Sequence, residues 1–501
     1  MTKNYSEYMD EIPSEDIYKG LLANGLFADK LPPIFTSVPF YDYSYSKDFA
    51  NSKCGFGYIY FEALRNINIP RSFGIPNPFA YQQLCKFLRD RWNEIKNHFM
   101  KQTIKNKHKV SRIHIRKMFD TNALFKMTYE NRKLDDCPEP LLLVGKKYIV
   151  RTDISTCFQS MYSHALAWAI EGKSEAKKKR NNKDEWFNEL DKKTRALKNN
   201  ETHGLLIGPH ASNLLSEIIL TVVDRQLCEL GYEYIRNIDD YTCYVETYEK
   251  AQSFLTDLAS KLREFDLQLN YAKTKIEELP VALTENWVHK LGLFDFAGNN
   301  NEVEYRKIQA YLDMAVELMY ANGNNSAILN YAIKVLSDKK FTDDALRYYL
   351  QVVQHLAVIY PYLIRLMDKY VFDVFHVKRE EIESFANIVF KDAKRAKNYE
   401  ALIYAIYFSI KYDFDLEEID EEFAISEDSC LLKCFTWCYY NKKHAEDEIM
   451  ALEEHAKDLQ ENLMDEYWLF VYEALPESEL KGDWNELKNA GVSFIKEEYR
   501  Y

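Results

Sequence analysis

Three aspartates offer the clearest chemistry in this chain of 501 residues. Asp153 ends a strand-like apolar run, and Asp239 and Asp240 stand side by side between two alternating segments that predict a β-hairpin. Adjacent carboxylates in a half-apolar turn repel each other unless a cation neutralises them. If the three groups meet, they could hold two Mg²⁺ ions about 3.5 to 4 Å apart, an arrangement that stabilises the attacking and leaving oxygens of phosphoryl transfer.

The elements that must position these carboxylates follow from hydrophobic periodicity. Residues 141–155 predict two strands, of which the second ends at Asp153, and residues 158–170 predict a helix. A long amphipathic helix at 212–230 precedes the hairpin. The first 280 residues are therefore expected to form an α+β unit.

From about residue 300 onward the chain predicts one amphipathic helix after another. The segments with helical i, i+3, i+4 spacing are 305–320, 327–336, 343–358, 362–370, 379–390, 399–412, 430–440, 445–462 and 467–474. Short polar breaks separate them, which predicts antiparallel helix pairs in a HEAT-like or irregular helical-repeat domain. We expect one domain at 1–285 and the all-α domain at 286–501.

Charge divides the chain in the same way. The net charge is -13, yet residues 1–280 hold 41 Lys+Arg and 37 Asp+Glu, whereas residues 281–501 hold 24 and 41. Residues 51–200 alone hold 30 basic and 15 acidic side chains. A basic lobe suits phosphate contacts, and a strongly acidic half is not expected to grip nucleic acid by itself. The basic run at 177–180 is equally consistent with a solvated helix face.

Composition excludes several other classes of protein. With 47% hydrophobic and 15% aromatic residues, the chain is neither disordered nor collagen-like. Its nine scattered cysteines and polar N-terminal segment predict a reduced, cytoplasmic protein. No apolar run approaches the ~18 residues that a membrane helix needs.

Four segments resemble, in the same order, the palm motifs of reverse transcriptases. They are RTDISTCF at 151–158, GLLIGPHASNLLSEI at 204–218, RNIDD at 236–240 and LNYAKTKI at 269–276. Upstream, IPRSFGIP at 69–76 is similar to a motif of the fingers. The resemblance implies a fingers and palm domain, with an antiparallel sheet and helices, that acts as a nucleotidyltransferase on dNTPs.

The resemblance also implies roles for individual residues. Asp153 and Asp239 would be ligands of the two Mg²⁺ ions, with Asp240 as a third ligand or an electrostatic support. Ile154 is assigned to the metal and nucleotide site, and Gly208 to the nucleotide site.

Four more side chains receive candidate roles at the nucleotide. Phe158 resembles the aromatic residue that excludes a ribose 2′-OH, although an aromatic core residue would have the same pattern. Arg71 could hold phosphate oxygens with two hydrogen bonds. Either Lys273 or Lys275 could protonate or neutralise the leaving group, and the sequence does not choose between them.

A narrower resemblance lies in HALAWAIEGKSEAK at 164–177 and ETHG at 201–204. Both are similar to the AbiK-like abortive-infection (Abi) polymerases of phage defence, which join fingers and palm to a HEAT-like helical domain. The resemblance implies DNA synthesis without a template, primed on a tyrosine of the same chain. It further implies a single-stranded DNA product covalently attached to the protein, a homo-oligomer and a phage component as trigger.

A self-primed polymerase needs a tyrosine hydroxyl that can reach the metal site. We expect Tyr8, and after it Tyr5, because both lie in a polar N-terminal tail that should be mobile. The other candidates, in a loop-like cluster and at the C-terminus, are Tyr41, Tyr43, Tyr45, Tyr499 and Tyr501.

Two departures from the reverse transcriptase pattern leave alternatives open. Asn237 stands where a tyrosine is usual, and Ile207 stands where glutamine is frequent, which puts templated copying in doubt. The enzymatic alternative is an RNA-templated reverse transcriptase. The other alternative is a phage-sensing scaffold with a structural polymerase fold, against which the clustered charge of the three aspartates argues.

Overall fold

The computed structural model describes residues 5–45, 47, 49, 55–65, 69–112, 115–117, 124, 137–282, 284–297 and 302–500. In this part of the chain the strands form two antiparallel sheets. The first sheet is a hairpin of β1 (Tyr58–Arg65) and β2 (Ile69–Pro76). The second has the order β4-β5-β3-β6 and consists of β3 (Tyr148–Asp153), β4 (Tyr234–Asn237), β5 (Asp240–Val245) and β6 (Lys275–Glu278).

Helices surround the two sheets in the first part of the chain. They are Tyr5–Asp10, Ser14–Leu22, Val38–Ser44, Pro78–Asp90, Trp92–Thr103, Glu139–Leu142, Cys157–Ser160, Ala165–Glu171, Lys173–Lys178, Trp186–Ala196, Ala211–Glu229, Tyr248–Arg263 and Asn286–Gly292. Ala211–Glu229, the central helix from here on, is buried over most of its length and packs against Trp92–Thr103 and Tyr248–Arg263. Its apolar residues lie on all sides, as expected of a helix enclosed by neighbours.

The second part of the chain is helical, as the periodicity predicts. Its longer helices are Tyr305–Ala321, Ser326–Leu336, Asp343–Ile359, Arg379–Ala396, Tyr399–Tyr412, Glu421–Ser426, Cys430–Lys443, Glu446–Asn462, Met464–Ala474 and Asp483–Asn489. The predicted helix at 362–370 is instead a succession of short 3₁₀, α and π turns, namely Pro361–Leu363, Ile364–Met367, Asp368–Phe372 and Asp373–Phe375. Two further 3₁₀ turns are Glu477–Glu479 and Glu497–Tyr499.

Two local predictions in the first part are wrong. The first strand expected around Gly145 is the short helix Glu139–Leu142, because Pro140 in its first turn suits a helix start. The helix expected at 158–170 is split into Cys157–Ser160 and Ala165–Glu171. Between them Tyr162 forms a β-bridge with His203, which takes the backbone out of the helical path.

The N-terminal tyrosines are not in a mobile tail. Tyr5 and Tyr8 lie in the helix Tyr5–Asp10, with exposed fractions of 4% and 6%. The Tyr5 hydroxyl donates to Glu217 of the central helix over 3.0 Å, and the Lys109 ammonium lies 4.4 Å from the Tyr8 ring centre. The prediction of a mobile tail was wrong because the residues around Tyr5 and Tyr8 are polar, although the two rings themselves pack into the core.

The helical half packs against the β1–β2 hairpin. The Leu64 amide donates to Glu400 over 2.6 Å, and the Gly57 amide donates to Asp465 over 3.0 Å. Near the C-terminus, Ile495 forms an antiparallel bridge with Phe35. One apolar core therefore runs through both halves. Among the described residues, no helix combines the length and the apolar composition that spanning a membrane would require.

A buried arginine joins the central helix to the hairpin of β4 and β5. All five N–H groups of Arg236 donate: to Asp224, to Glu217 and, over 2.7 Å, to the Ile238 carbonyl. Its side chain is 0% exposed. Burial raises the pKa of Asp224, whereas the pKa of Glu217 is lowered, since Arg236 and hydrogen-bond donors outweigh its burial.

Removing this arginine should destabilise the whole protein. In the variant Arg236→Met, two buried carboxylates would lose their counter-charge, which costs about 3–5 kcal/mol. Urea unfolding would measure the loss. The matched control is Arg225→Met on the same helix, whose half-exposed ion pair with Glu229 contributes under about 1 kcal/mol. Equal losses in both variants would contradict the assigned importance of Arg236.

Candidate active site

The sheet brings the three predicted aspartates to one edge. Asp153, the last residue of β3, lies opposite Asp240, the first residue of β5. Asp239 occupies the turn before β5, and its carbonyl accepts from the Ile154 amide over 3.1 Å. Because β3 and β5 are adjacent and antiparallel, the end of one strand and the start of the other must meet at this edge.

Two β-branched residues beside the carboxylates hold unusual backbone conformations. Ile238 has φ 57° and Thr156 has φ 45°, in the left-handed region that such residues rarely adopt. Each costs about 1–3 kcal/mol and persists only where surrounding contacts enforce it. At Ile238 the enforcing contact is the hydrogen bond from Arg236 to its carbonyl. The ion network in the core therefore fixes the turn that carries Asp239.

The three carboxylates destabilise one another's charged forms. Burial first, and then the charge of Asp153, raise the pKa of Asp239. Burial, together with Asp239 and Asp153, raises the pKa of Asp240 to about 6, although this residue lies at the solvent edge. Asp153 is 4% exposed and pairs with the Lys273 ammonium through Oδ2, while its Oδ1 is buried with no hydrogen-bond partner in the described part of the chain.

The carboxylate oxygens of the three aspartates are of the type that binds a divalent cation. Mg²⁺ prefers carboxylate oxygens as ligands. The unpartnered Oδ1 of Asp153 would coordinate a cation bound here and so gain a partner. Among the described residues, however, no group of three or more Asp, Glu, His or Cys side chains is arranged to hold a metal ion. Lys273 supplies the positive charge at Asp153 instead.

A cleft of about 450 Å³ opens over the carboxylates. Asp153, Ile154 and Asp239 line its floor, and the proposed nucleotide residues Arg71, Phe158 and Lys273 line its sides. The sequence prediction missed Arg65, which lies at the end of β1 and contributes positive charge near Asp240. No motif marked it, because it enters the cleft only when the β1–β2 hairpin folds over the sheet.

Gly208 lies behind the cleft wall and does not line it. Its φ is 129°, and a Cβ atom there would lie 3.0 Å from the Gly74 carbonyl oxygen. The Gly74 amide in turn donates to the Ile207 carbonyl over 2.9 Å. The absence of a side chain at Gly208 lets the β1–β2 hairpin approach the turn before the central helix.

The structure distinguishes the two candidate lysines. Lys273 lines the cleft and pairs with Asp153, whereas Lys275 is exposed in β6, opposite Arg151 in the strand register. Tyr5 and Tyr8 are also not among the cleft-lining residues, and Tyr501 lies outside the described residues. Lys273 is therefore the one of the pair that is placed to meet a substrate.

Part of the chain matches the model of a known protein family. Residues 78–305 match the family model described as reverse transcriptase (RNA-dependent DNA polymerase). This region, which is slightly less than half of the chain, is therefore similar to a reverse transcriptase domain. Polymerases of that family typically use divalent metals and dNTPs. No curated protein matches the chain in sequence.

Solved structures of telomerase from Candida tropicalis are similar to this chain at low identity. The apo enzyme truncated from its C-terminal domain has 11% identity and a TM-score of 0.29, and the match covers 48% of this chain and 54% of that one. The apo enzyme has 12% identity and a TM-score of 0.33, with 83% and 72% covered. The enzyme in complex with a fragment of telomeric RNA has 12% identity and a TM-score of 0.31, with 74% and 66% covered.

The repulsion among the carboxylates predicts a pH-dependent effect of Asp240→Asn. In metal-free buffer above pH 6 the variant should be more stable than the parent by roughly 1 kcal/mol, allowing for solvent screening. Because the folded-state pKa of about 6 exceeds the unfolded value, the parent regains this stability as the pH falls from 6 to about 4. Thermal unfolding across this range would measure the difference, and a difference independent of pH would contradict the prediction.

Proposed function

We propose that this chain is a Mg²⁺-dependent DNA polymerase of the abortive-infection (Abi) type that acts in defence against phage. The observation that carries the proposal is the meeting of Asp153, Asp239 and Asp240 at one edge of the sheet, where the first two line a cleft, within the region that matches the reverse transcriptase family model. The Abi assignment is supported by the segments at 164–177 and 201–204. Synthesis is proposed to be self-primed and independent of a template.

Each side chain in the cleft would have a defined task. Mg²⁺, when bound, would neutralise the triphosphate and lower the pKa of the attacking hydroxyl. Asp153 and Asp239 would hold the cation, with Asp240 beside them, and the Ile154 backbone would fix the spacing of the first two.

The remaining residues would bind the nucleotide. Arg71 would hold phosphate oxygens, and Lys273 would give a proton to the departing pyrophosphate. Phe158 would close the space beside the sugar, so that a deoxynucleotide fits and a ribonucleotide does not.

The rest of the chain would regulate and assemble the polymerase. We propose a catalytic domain at 1–285 and a HEAT-like domain at 286–501, supported by consecutive helix pairs such as Arg379–Ala396 with Tyr399–Tyr412. The acidic helical half would form a cytoplasmic homo-oligomer and receive the phage signal. The RNA-templated alternative is compatible with the same reverse transcriptase domain.

Incubation with Mg²⁺ and labelled dNTPs, with neither template nor primer, tests the proposed activity. Label should migrate with the protein on a denaturing gel, disappear with nuclease and be lost, by at least about a hundredfold, in Asp239→Asn. The control is Asp343→Asn, the same change in an exposed Asp-Asp pair of the helical half. Synthesis only with added RNA would favour the templated alternative, and no synthesis under either condition would favour a scaffold.

The burial of Tyr5 and Tyr8 changes the choice of primer. Either residue could prime only if the helix Tyr5–Asp10 left the core, which would break the Tyr5 to Glu217 hydrogen bond. Tyr271 does not line the cleft either, but it is 78% exposed and stands between the cleft residues Asn270 and Lys273, so its side chain would have to turn toward the cleft but no helix would have to leave the core. We therefore propose Tyr271 as the attachment site.

Substitution of single tyrosines distinguishes these candidates. Tyr271→Phe should abolish the covalent label, because it removes only the hydroxyl that would bond to the first nucleotide. Tyr320→Phe, an exposed tyrosine of the helical half, should retain it. Peptide mapping of the labelled protein identifies the site directly. Loss of label in Tyr8→Phe with retention in Tyr271→Phe would show that the first helix unpacks to prime.

A further inference from the structure

A second cleft, of about 950 Å³, lies beside the catalytic one and has no part in the chemistry described above. It is enclosed by the helices Ala165–Glu171, Lys173–Lys178 and Trp186–Ala196 and by Asp266. We call it the basic cleft. The basic residues that line it are Lys173, Lys177, Arg180, Lys183, Lys192 and Arg195.

Three cations of the basic cleft, Lys173, Lys192 and Arg195, form ion pairs with acidic residues that also line it, and the other three do not. Lys178 and Lys179, which do not line it, form ion pairs with Glu175 and with Glu171 and Glu185. Lys177, Arg180 and Lys183 line it, are exposed, and have no ion-pair partner among the described residues. Lys177 lies in the helix Lys173–Lys178, and Arg180 and Lys183 lie in the turn segment that follows it, so all three face the basic cleft from one stretch of chain.

Aromatic rings accompany these charges. Tyr162 is half-buried at the wall, and its ring centre lies 5.6 Å from that of Trp168, over which the Lys173 ammonium sits at 3.9 Å. Asp191 accepts from His164 and from Arg195 through Oδ2. Its Oδ1 is buried and has no hydrogen-bond partner in the described part of the chain.

This combination selects one class of ligand. Unpaired cations bind phosphates, and an aromatic platform stacks on bases. A lone inorganic anion would use only the first of these. Two short segments of chain connect the two clefts. In the first, Phe158 lines the catalytic cleft and Tyr162 lines the basic cleft. In the second, Asn270 lines the catalytic cleft and Asp266 lines the basic cleft.

We propose that the basic cleft binds single-stranded DNA as it leaves the catalytic cleft. The DNA would pass between Phe158–Tyr162 and Asp266–Asn270, with a base on Tyr162 and backbone phosphates on Lys177, Arg180 and Lys183. The identity of this DNA as the product rests on the proposed polymerase function, whereas the binding itself does not.

Binding is therefore measured with the inactive Asp239→Asn protein and a fluorescent 16-nucleotide oligothymidine, by anisotropy at several salt concentrations. Neutralising Lys177, Arg180 and Lys183 together to Gln should weaken binding at least tenfold. It should also reduce the slope of log affinity against log salt by about 2, because each phosphate that a cation neutralises adds ~0.7 to that slope. The control changes Lys178, Lys397 and Lys481 to Gln, which alters the net charge equally outside the basic cleft.

The aromatic contribution is tested by Tyr162→Ala, which should weaken oligothymidine binding about tenfold, while Tyr162→Phe should keep it. Neither change should affect binding of inorganic polyphosphate. In the otherwise unmodified inactive protein, crosslinking to an iodouracil-substituted oligonucleotide should label the peptide that carries Tyr162.

Three outcomes would overturn the proposal. They are equal losses in the two lysine triples, polyphosphate binding that responds to Tyr162→Ala as oligothymidine does, and dTTP alone competing as well as the oligonucleotide. Because every arm uses a protein that cannot synthesise DNA, failure of the proposed polymerase activity would leave these results interpretable.

Discussion

One positive charge buried between two negative ones organises this structure. Arg236 is wholly enclosed, and each of its N–H groups has an acceptor. Such a network is stable only when complete, because any unpaired member would be a charge in a medium of low dielectric constant. Its partners come from the central helix, and further donors come from Tyr5 and Ser111. The four-stranded sheet, the central helix and the N-terminal segment are thereby fixed to one another.

The sheet edge that carries the three aspartates has the opposite electrostatic character. There the carboxylates raise one another's pKa values, and two neighbouring β-branched residues hold left-handed backbone conformations. Functional sites are where folded proteins keep such unfavourable features, since a substrate or cation relieves them. Arg236 lies two residues before Ile238 and donates a hydrogen bond to its carbonyl. The buried arginine, whose charge is balanced by Asp224 and Glu217, therefore fixes the turn that carries the mutually repelling aspartates.

Much of this arrangement was predictable because the determining signals are local. Alternation on both sides of Asp239 and Asp240 gave the hairpin, and the long apolar stretch gave the central helix. Most helices after residue 300 followed from periodicity. The exceptions are 362–370 and the short helices Glu421–Ser426 and Asp483–Asn489, which periodicity did not predict. Antiparallel pairing of two strands then required Asp153 and Asp240 to meet.

What the sequence did not predict depends on contacts between distant residues. Tyr5 looks like part of a polar tail, because its acceptor Glu217 is 212 positions away. Lys273 and Lys275 have equivalent motif positions, and only the folded loop before β6 brings the first of them to Asp153. Unpaired cations also look the same as paired ones in a basic run, since ion pairing depends on which helix faces which.

The position of Tyr5 also affects the access of water to the buried ion pairs of Arg236. The helix Tyr5–Asp10 lies over Glu217, so it separates the Arg236 network from bulk solvent. If that helix detached, solvent would reach the network and raise the local dielectric constant. The ion pairs would then weaken by a factor that depends on hydration rather than on any change in their geometry. The first helix thus maintains the dry environment in which a single arginine can hold the catalytic hairpin.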